Sequence, residues 1–341
     1  MDIIKSIKIS LRSKLKFELF LEAFYRASNN KSYKKEVIDY LINIEGDIIN
    51  LINDIYTDNY YLGEYKIFHI YEPKERIIRC LPFRDRIVQQ WYVEEFLKPY
   101  YSKAFIYDSY ACIEGKGSHK AVKRLQNFLK SVDNNYYIIK FDIRKYFENI
   151  DKDILFNILK SKIKDKYLLN FTYKMIYENN DFNGICIGNY TSQWFANIYL
   201  NELDHYVKKI LNLKYYLRYM DDFVILVSDK DIAKKIYIKV EEFVKSKLNL
   251  DLNKKSKYYP VRYGCDFCGY IIYKEYIKIR KKSKKKIGNN IKKWNNLYKC
   301  NKFNYYKFIA SYNSIISYLK HANTCNYIRV MNDKISFFKK Q

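Results

Sequence analysis

Residues 215–227 read Tyr-Tyr-Leu-Arg-Tyr-Met-Asp-Asp-Phe-Val-Ile-Leu-Val. Two adjacent carboxylates, Asp221 and Asp222, stand between two apolar, β-prone runs. That pattern predicts a β-hairpin with the acidic pair at its turn. A turn keeps its backbone rigid and holds side-chain oxygens out toward a cleft. Mg²⁺ takes hard oxygen ligands, usually one or two carboxylates completed by substrate phosphates. Asp pairs are also ordinary turn chemistry. The hairpin alone therefore leaves a solvated turn and a metal site both open.

A partner lies upstream. Residues 136–151 read Tyr-Tyr-Ile-Ile-Lys-Phe-Asp-Ile-Arg-Lys-Tyr-Phe-Glu-Asn-Ile-Asp. An aromatic and β-branched run ends at Asp142, and the chain turns helical from about Lys152. An acid closing a buried strand needs a cation or a hydrogen-bonded partner. Asp142 and Asp221 would bridge two metals, with Asp222 beside them as a lesser ligand. Two ions about 3.5–4 Å apart stabilise both the attacking and the leaving oxygen of an in-line phosphoryl transfer.

The 341 residues suit one large domain or two to three subdomains sharing a core. The net charge of +26 favours a polyanionic partner, with nucleic acid ahead of an anionic membrane surface. No run of about 18 apolar residues is present, and no lipid-anchor signal. Part of the lysine excess can equally reflect an AT-rich coding sequence. The 38 tyrosines include rings able to stack on bases, though most suit the core. Seven cysteines, without even spacing or a preceding signal peptide, point to a reduced, cytoplasmic protein. Cys265-Asp266-Phe267-Cys268 is a lone C-x-x-C, read as two small apolar residues of a strand leading to Gly269 rather than as a zinc site.

Helical spacing covers residue 1 to about residue 53. Residues 65–71 alternate as a strand, 72–75 turn, and 76–79 return. Helices are predicted at 83–101, 152–179, 195–210 and 231–248. Residues 258–279 read as a pair of short strands, and the chain from Lys281 onward as basic and helical. These elements describe an α+β fold, a small antiparallel sheet with helices on one face.

In this order the motifs resemble a family: bacterial reverse transcriptases related to group II intron and retron enzymes. Within that group the chain most resembles the reverse transcriptases of diversity-generating retroelements. The resemblance runs over roughly residues 60–330. It rests on Glu72-Pro73-Lys74-Glu75-Arg76, on the Phe83–Gln89 and Tyr110–His119 segments, and on Phe141-Asp142 through Asp151. Ile187-Gly188-Asn189-Tyr190-Thr191-Ser192-Gln193, Arg218-Tyr219-Met220-Asp221-Asp222 and Phe267-Cys268-Gly269-Tyr270 complete it. It implies a right-hand polymerase fold. An N-terminal helical extension would occupy 1–60, fingers and palm 61–270, and a basic helical thumb 271–341.

The implied activity is RNA-directed DNA synthesis with two Mg²⁺ ions held by Asp142, Asp221, Asp222 and the Ile143 carbonyl. Lys74 and Arg76 would hold the triphosphate of a dNTP. Phe147 would stack under its sugar and exclude a 2′-hydroxyl, with Tyr146 pointing elsewhere. Gly188 and Gln193 would approach the nucleotide. Tyr219, Met220, Lys254 and Gly269 would face primer and template. Asp85 and Arg86 look like a structural hydrogen-bond node. Ile187 stands where many relatives have Gln, and Gln193 where they have Pro, a departure shared with diversity-generating and some defence-associated enzymes. Implied partners are an RNA template, a DNA or RNA primer duplex, and either a small basic accessory protein or a noncoding RNA. The alternative role is antiphage defence, with DNA made from a noncoding RNA; a non-catalytic RNA-binding protein and an RNA-dependent RNA polymerase are the competing classes.

Overall fold

The computed structural model describes residues 6–71, 75–177 and 183–340. The chain divides into two compact units, each assembled from three segments. Residues 1–113, 142–213 and 239–254 make the first; 114–141, 214–238 and 255–341 make the second.

The first unit opens with α1 (Phe17–Ser28), α2 (Lys35–Ile42) and α3 (Ile44–Tyr56). A two-stranded antiparallel ribbon follows, β1 (Lys66–Ile70) with β2 (Arg76–Cys80), in the register Ile70↔Arg76. Next comes α4 (Phe83–Tyr92), which runs through a π-helical turn at Val93–Leu97 into α5 (Lys98–Tyr101). The core here is aromatic: Phe20 stacks on Trp91 at 4.7 Å, and Trp91 meets Phe171 edge-on at 5.7 Å. Polar tips inside this core find partners, as buried groups must. Tyr92 Oη lies 2.8 Å from Thr172 Oγ1, and Trp91 Nε1–H donates to the Lys14 carbonyl at 2.9 Å.

The second unit begins with α6 (Ser118–Lys130), a helix that the hydrophobic spacing did not single out. Its apolar stripe, Ala121, Val122, Leu125, Phe128 and Leu129, is buried. Strand β3 (Tyr137–Asp142) follows, and the chain passes into the first unit at its last residue.

There it forms α7 (Tyr146–Asn149), α8 (Lys152–Lys160), α9 (Lys166–Tyr177) and α10 (Tyr190–His205). The single helix expected over 152–179 is therefore two. The first ends at Lys160, and Asp165 caps the second, accepting from Leu168 N–H at 2.8 Å. The helix expected from 195 starts at Tyr190, whose N–H is taken by the buried Gln89 side chain at 2.9 Å.

Back in the second unit, β4 (Tyr216–Tyr219) and β5 (Asp222–Val227) form the acidic hairpin. Helix α11 (Lys230–Leu248) follows, running from the second unit into the first. The region expected to hold two strands holds four: β6 (Lys257–Pro260), β7 (Cys265–Phe267), β8 (Tyr270–Ile272) and β9 (Ile277–Ile279). Each strand of that region has four residues or fewer, so it shows little periodicity. The basic tail resolves into α12 (Lys281–Lys299), α13 (Tyr305–Lys320) and α14 (Cys325–Asn332).

The strands lie in three sheets rather than one, in the orders β1-β2, β4-β5-β3-β6 and β7-β8-β9. This is the mixed helix-and-strand class expected. In the four-stranded sheet, Phe141 of β3 stacks on Phe223 of β5 at 4.8 Å, and both rings are fully buried.

Candidate active site

In the acidic hairpin the register pairs Tyr219 with Asp222, which leaves Met220 and Asp221 as a two-residue turn. Asp222 is thus the first residue of β5 and not part of the turn. Met220 has φ of 57°, a left-handed conformation that such a turn normally gives to glycine. The turn is braced from beneath. Arg218 has no exposed surface, and its guanidinium donates to the Met220 carbonyl at 3.1 Å. Such enforced strain is characteristic of sites where geometry matters.

Asp222 has a partner that the sequence did not reveal. Lys140 Nζ on β3 lies 3.1 Å from Asp222 Oδ2 and also donates to the Asp266 carbonyl on β7. Burial pulls the Lys140 pKa down; the Asp222 carboxylate beside it more than offsets this and leaves it raised. Burial pushes the Cys265 thiol up to about 12, so it stays protonated at neutral pH. Cys268 lies outside the strand expected to hold it. It occupies the β7–β8 turn at φ 46°, followed by Gly269 at φ 92°. Two successive positive φ values are what a tight hairpin requires. The Gly269 carbonyl accepts from Tyr318 Oη at 2.8 Å, which ties this turn to α13.

In the first unit, Asp142 is half-buried where β3 ends. Ile143 then faces Leu252 in an isolated antiparallel bridge. The flanking bonds are Arg144 N–H to Asp251 O at 2.9 Å and Asn253 N–H to Asp142 O at 2.7 Å. In that pairing the N–H and C=O of Ile143 itself turn away from Leu252. Phe147 is half-buried on α7, whereas Tyr146 is buried and donates to the Ala196 carbonyl at 2.5 Å. The two rings nonetheless meet edge-on, with their centroids 5.6 Å apart. The Phe147 carbonyl accepts from Ile185 N–H at 2.8 Å, and a Cβ on Gly184 would fall 2.3 Å from that oxygen.

Gly188, at φ 127°, has a reason of its own to be glycine: a Cβ there would come 2.3 Å from the Arg79 carbonyl of β2. Gln193 is exposed on the first turn of α10, Lys254 is exposed after α11, and Arg76 is exposed at the start of β2. Lys74 lies outside the described residues. Asp85 is the node expected, accepting from Tyr60 Oη at 2.8 Å and Gly63 N–H at 3.0 Å. Its neighbour Arg86 pairs with Glu36 at 2.6 Å.

A cavity of about 780 Å³ in the first unit is lined by residues that include Arg144, Lys145, Asp151, Asp153 and Tyr177, but not by Asp142 or Phe147. Among the described residues, no three His, Cys, Asp or Glu side chains form a metal cage by themselves. None of the helices described is long and apolar enough to cross a membrane.

The chain matches the sequence profile described as "Reverse transcriptase (RNA-dependent DNA polymerase)" over residues 72–272, more than half its length. It is 26% identical over 177 residues to the group II intron-encoded protein LtrA of Lactococcus lactis subsp. cremoris, covering 49% of this chain and 29% of that one. It is 28% identical over 134 residues to a Saccharomyces cerevisiae protein named for COX1/OXI3 intron 2, covering 37% of this chain and 15% of the other. The matches thus span less than a third of either curated relative. Among solved structures, telomerase from Candida albicans with the TWJ fragment of telomeric RNA aligns with a TM-score of 0.48 at 14% identity, over 66% of this chain and 48% of that one.

Proposed function

The chain belongs to the reverse transcriptase (RNA-dependent DNA polymerase) family, and on that premise we propose that it copies an RNA template into DNA by extending a 3′-hydroxyl with dNTPs. Asp142, Asp221 and Asp222, with the Ile143 carbonyl, would hold two Mg²⁺ ions. This donor set consists of hard oxygens only, which fits Mg²⁺. Bound magnesium would supply activation of the attacking oxygen and neutralisation of the phosphate charge.

One observation carries the proposal. Side chains two apart on a strand share a face, so Asp142 lies on the same face of β3 as Lys140. Lys140 reaches Asp222, at 3.1 Å, on the neighbouring strand. The outward-turned Ile143 carbonyl adds a backbone oxygen to the same strand end.

The remaining roles follow from placement. Arg76, with Lys74, would clamp the triphosphate from the ribbon. Phe147, its backbone held by Ile185, would block a 2′-hydroxyl. Gly188 and Gln193 would stand at the nucleotide, and Lys254 near the template–primer. Tyr219 and Met220 would meet the primer terminus beside Gly269, whose carbonyl Tyr318 steadies. Fingers and palm would span 61–270, and the α12–α14 segment would be the thumb, its lysines set against phosphates of an A-form duplex. The protein would work in the cytoplasm.

Incorporation of dNTPs on a primed RNA template tests the chemistry. Asp142→Ala and Asp221→Ala should each lower it by about a thousandfold or more. Full activity in either variant would end the proposal. Phe147→Ala should admit NTPs that the parent rejects.

For the biological role we propose copying within a diversity-generating retroelement, with a small basic accessory protein. Supporting this is the resemblance at the α10 entry, where Ile187 and Gln193, the latter exposed, stand in place of the Gln and Pro of many reverse transcriptases. Misincorporation opposite template adenine would bear this out, and accurate copying there would defeat it. Sequencing nucleic acid copurified with the protein separates the two settings. A template–variable repeat transcript supports diversification, and an unrelated noncoding RNA assigns antiphage DNA synthesis instead.

A further inference from the structure

Lys140 stands out because a lysine this enclosed is rare unless paired. Its side chain is 19% exposed and that of Asp222 is 26% exposed. Three neighbours in the second unit hold the ammonium. Asp222 Oδ2 lies 3.1 Å away, the Asp266 backbone carbonyl accepts from it, and the Phe267 ring centroid is 5.7 Å away. The Asp266 and Phe267 contacts both come from β7, so the cation is anchored to a strand outside the acidic hairpin.

We propose that Lys140 is a positioning residue of the acidic pair. Its ammonium takes up part of the charge of Asp222 and fixes that carboxylate, so that Asp221 and Asp142 are the principal metal ligands and Asp222 the lesser one. This rests on the polymerase assignment above. A carboxylate facing a fixed ammonium is a weaker metal ligand than its neighbour, because one oxygen is already committed to a cation. The two adjacent aspartates thus become unequal: Asp221 on the strained turn binds metal, and Asp222 at the strand start balances a protein cation. The same cation also keeps surplus negative charge from over-tightening metals that must be released with pyrophosphate.

The sign of the metal effect separates positioning from a purely structural role. If Lys140 were only a packing residue, its loss would weaken metal binding and turnover together. As a charge-balancing residue, its loss should tighten metal binding while slowing turnover. Lys140→Met keeps the stem and removes the charge. Titration of the substrate-free protein with Mn²⁺, read by electron paramagnetic resonance, should show affinity rising about tenfold, with kcat falling about 10- to 100-fold. Lys140→Arg should restore both. Asp222→Asn should lower kcat less than Asp221→Ala. The Lys140→Met/Asp222→Asn double variant should be no worse than Lys140→Met, because the two residues act as one unit.

Thermal unfolding in metal-free buffer provides a readout independent of catalysis, in which the two single losses should again be non-additive. Unchanged or weakened Mn²⁺ binding in Lys140→Met overturns the proposal, as do strictly additive effects. If the parent incorporates no dNTP, or Asp221→Ala remains active, the polymerase assignment fails instead. If the parent is active and Asp221→Ala is dead, only the behaviour of Lys140 is in question.

Discussion

Two hairpins in this chain both carry large apolar residues and have opposite fates. β1–β2 and β4–β5 are both short antiparallel pairs. All five residues of β1 are exposed, including Ile67 at 57% and Phe68 at 46%. The five residues of β5 after Asp222 are all buried. The difference is company: β5 has β3 on its other side and stacks Phe223 on Phe141, whereas β1 and β2 make a sheet of two. A lone two-stranded ribbon buries too little to be rigid, and regions with few buried contacts open most easily. Such a ribbon suits the clamp proposed for it. The buried hairpin suits the proposed metal site, with Asp221 in its turn and Asp222 at the start of β5.

The comparison is most sharply tested by truncating one ring. Phe223→Ala should cost about 3–5 kcal/mol of stability, read by urea unfolding, because it empties the contact with Phe141. Gly188→Ala should follow at about 2–4 kcal/mol, since its Cβ would strike the Arg79 carbonyl and the backbone is left-handed there. That loss would show that the ribbon depends on its attachment beside α10, where Arg79 N–H donates to Ile187 O at 3.0 Å. Arg76→Ala should leave unfolding unchanged while raising the dNTP KM about tenfold, the loss of one charge-assisted phosphate contact. Smallest of all, Ile67→Ala should stay within about 0.5 kcal/mol of the parent. A large loss at Ile67 would mean the ribbon is packed, and the contrast would disappear.

Much of this was legible before any coordinates. The acidic hairpin, the strand closing at Asp142, the 65–79 ribbon and the 83–101 helix all followed from periodicity and turn chemistry. Some features did not. Helix α6 has only five buried apolar positions among lysines and polar residues, so its stripe was easy to pass over. The four strands of 257–279 were read as two because three of them have only three residues. The break between α8 and α9 is a connection of only five residues, 161–165, and its one turn signal was the capping Asp165. At the candidate site, the sequence offered Asp222 as a metal ligand, while Lys140 sat unassigned in the 136–151 stretch. Its signal was present: a lysine two positions before the strand-ending acid, on the same face.

Local chemistry alone determined the acids proposed as metal ligands, the hairpin that displays two of them, and the basic surplus that favours a polyanion. These are properties of neighbouring residues, set by backbone sterics, side-chain type and summed charge. Tertiary structure decided the rest: that one ribbon stands in solvent while the other is buried, that Gly188 answers to Arg79, and that Asp222 meets an ammonium. Each of these depends on which distant strand arrives alongside, and no short stretch of chain carries that information.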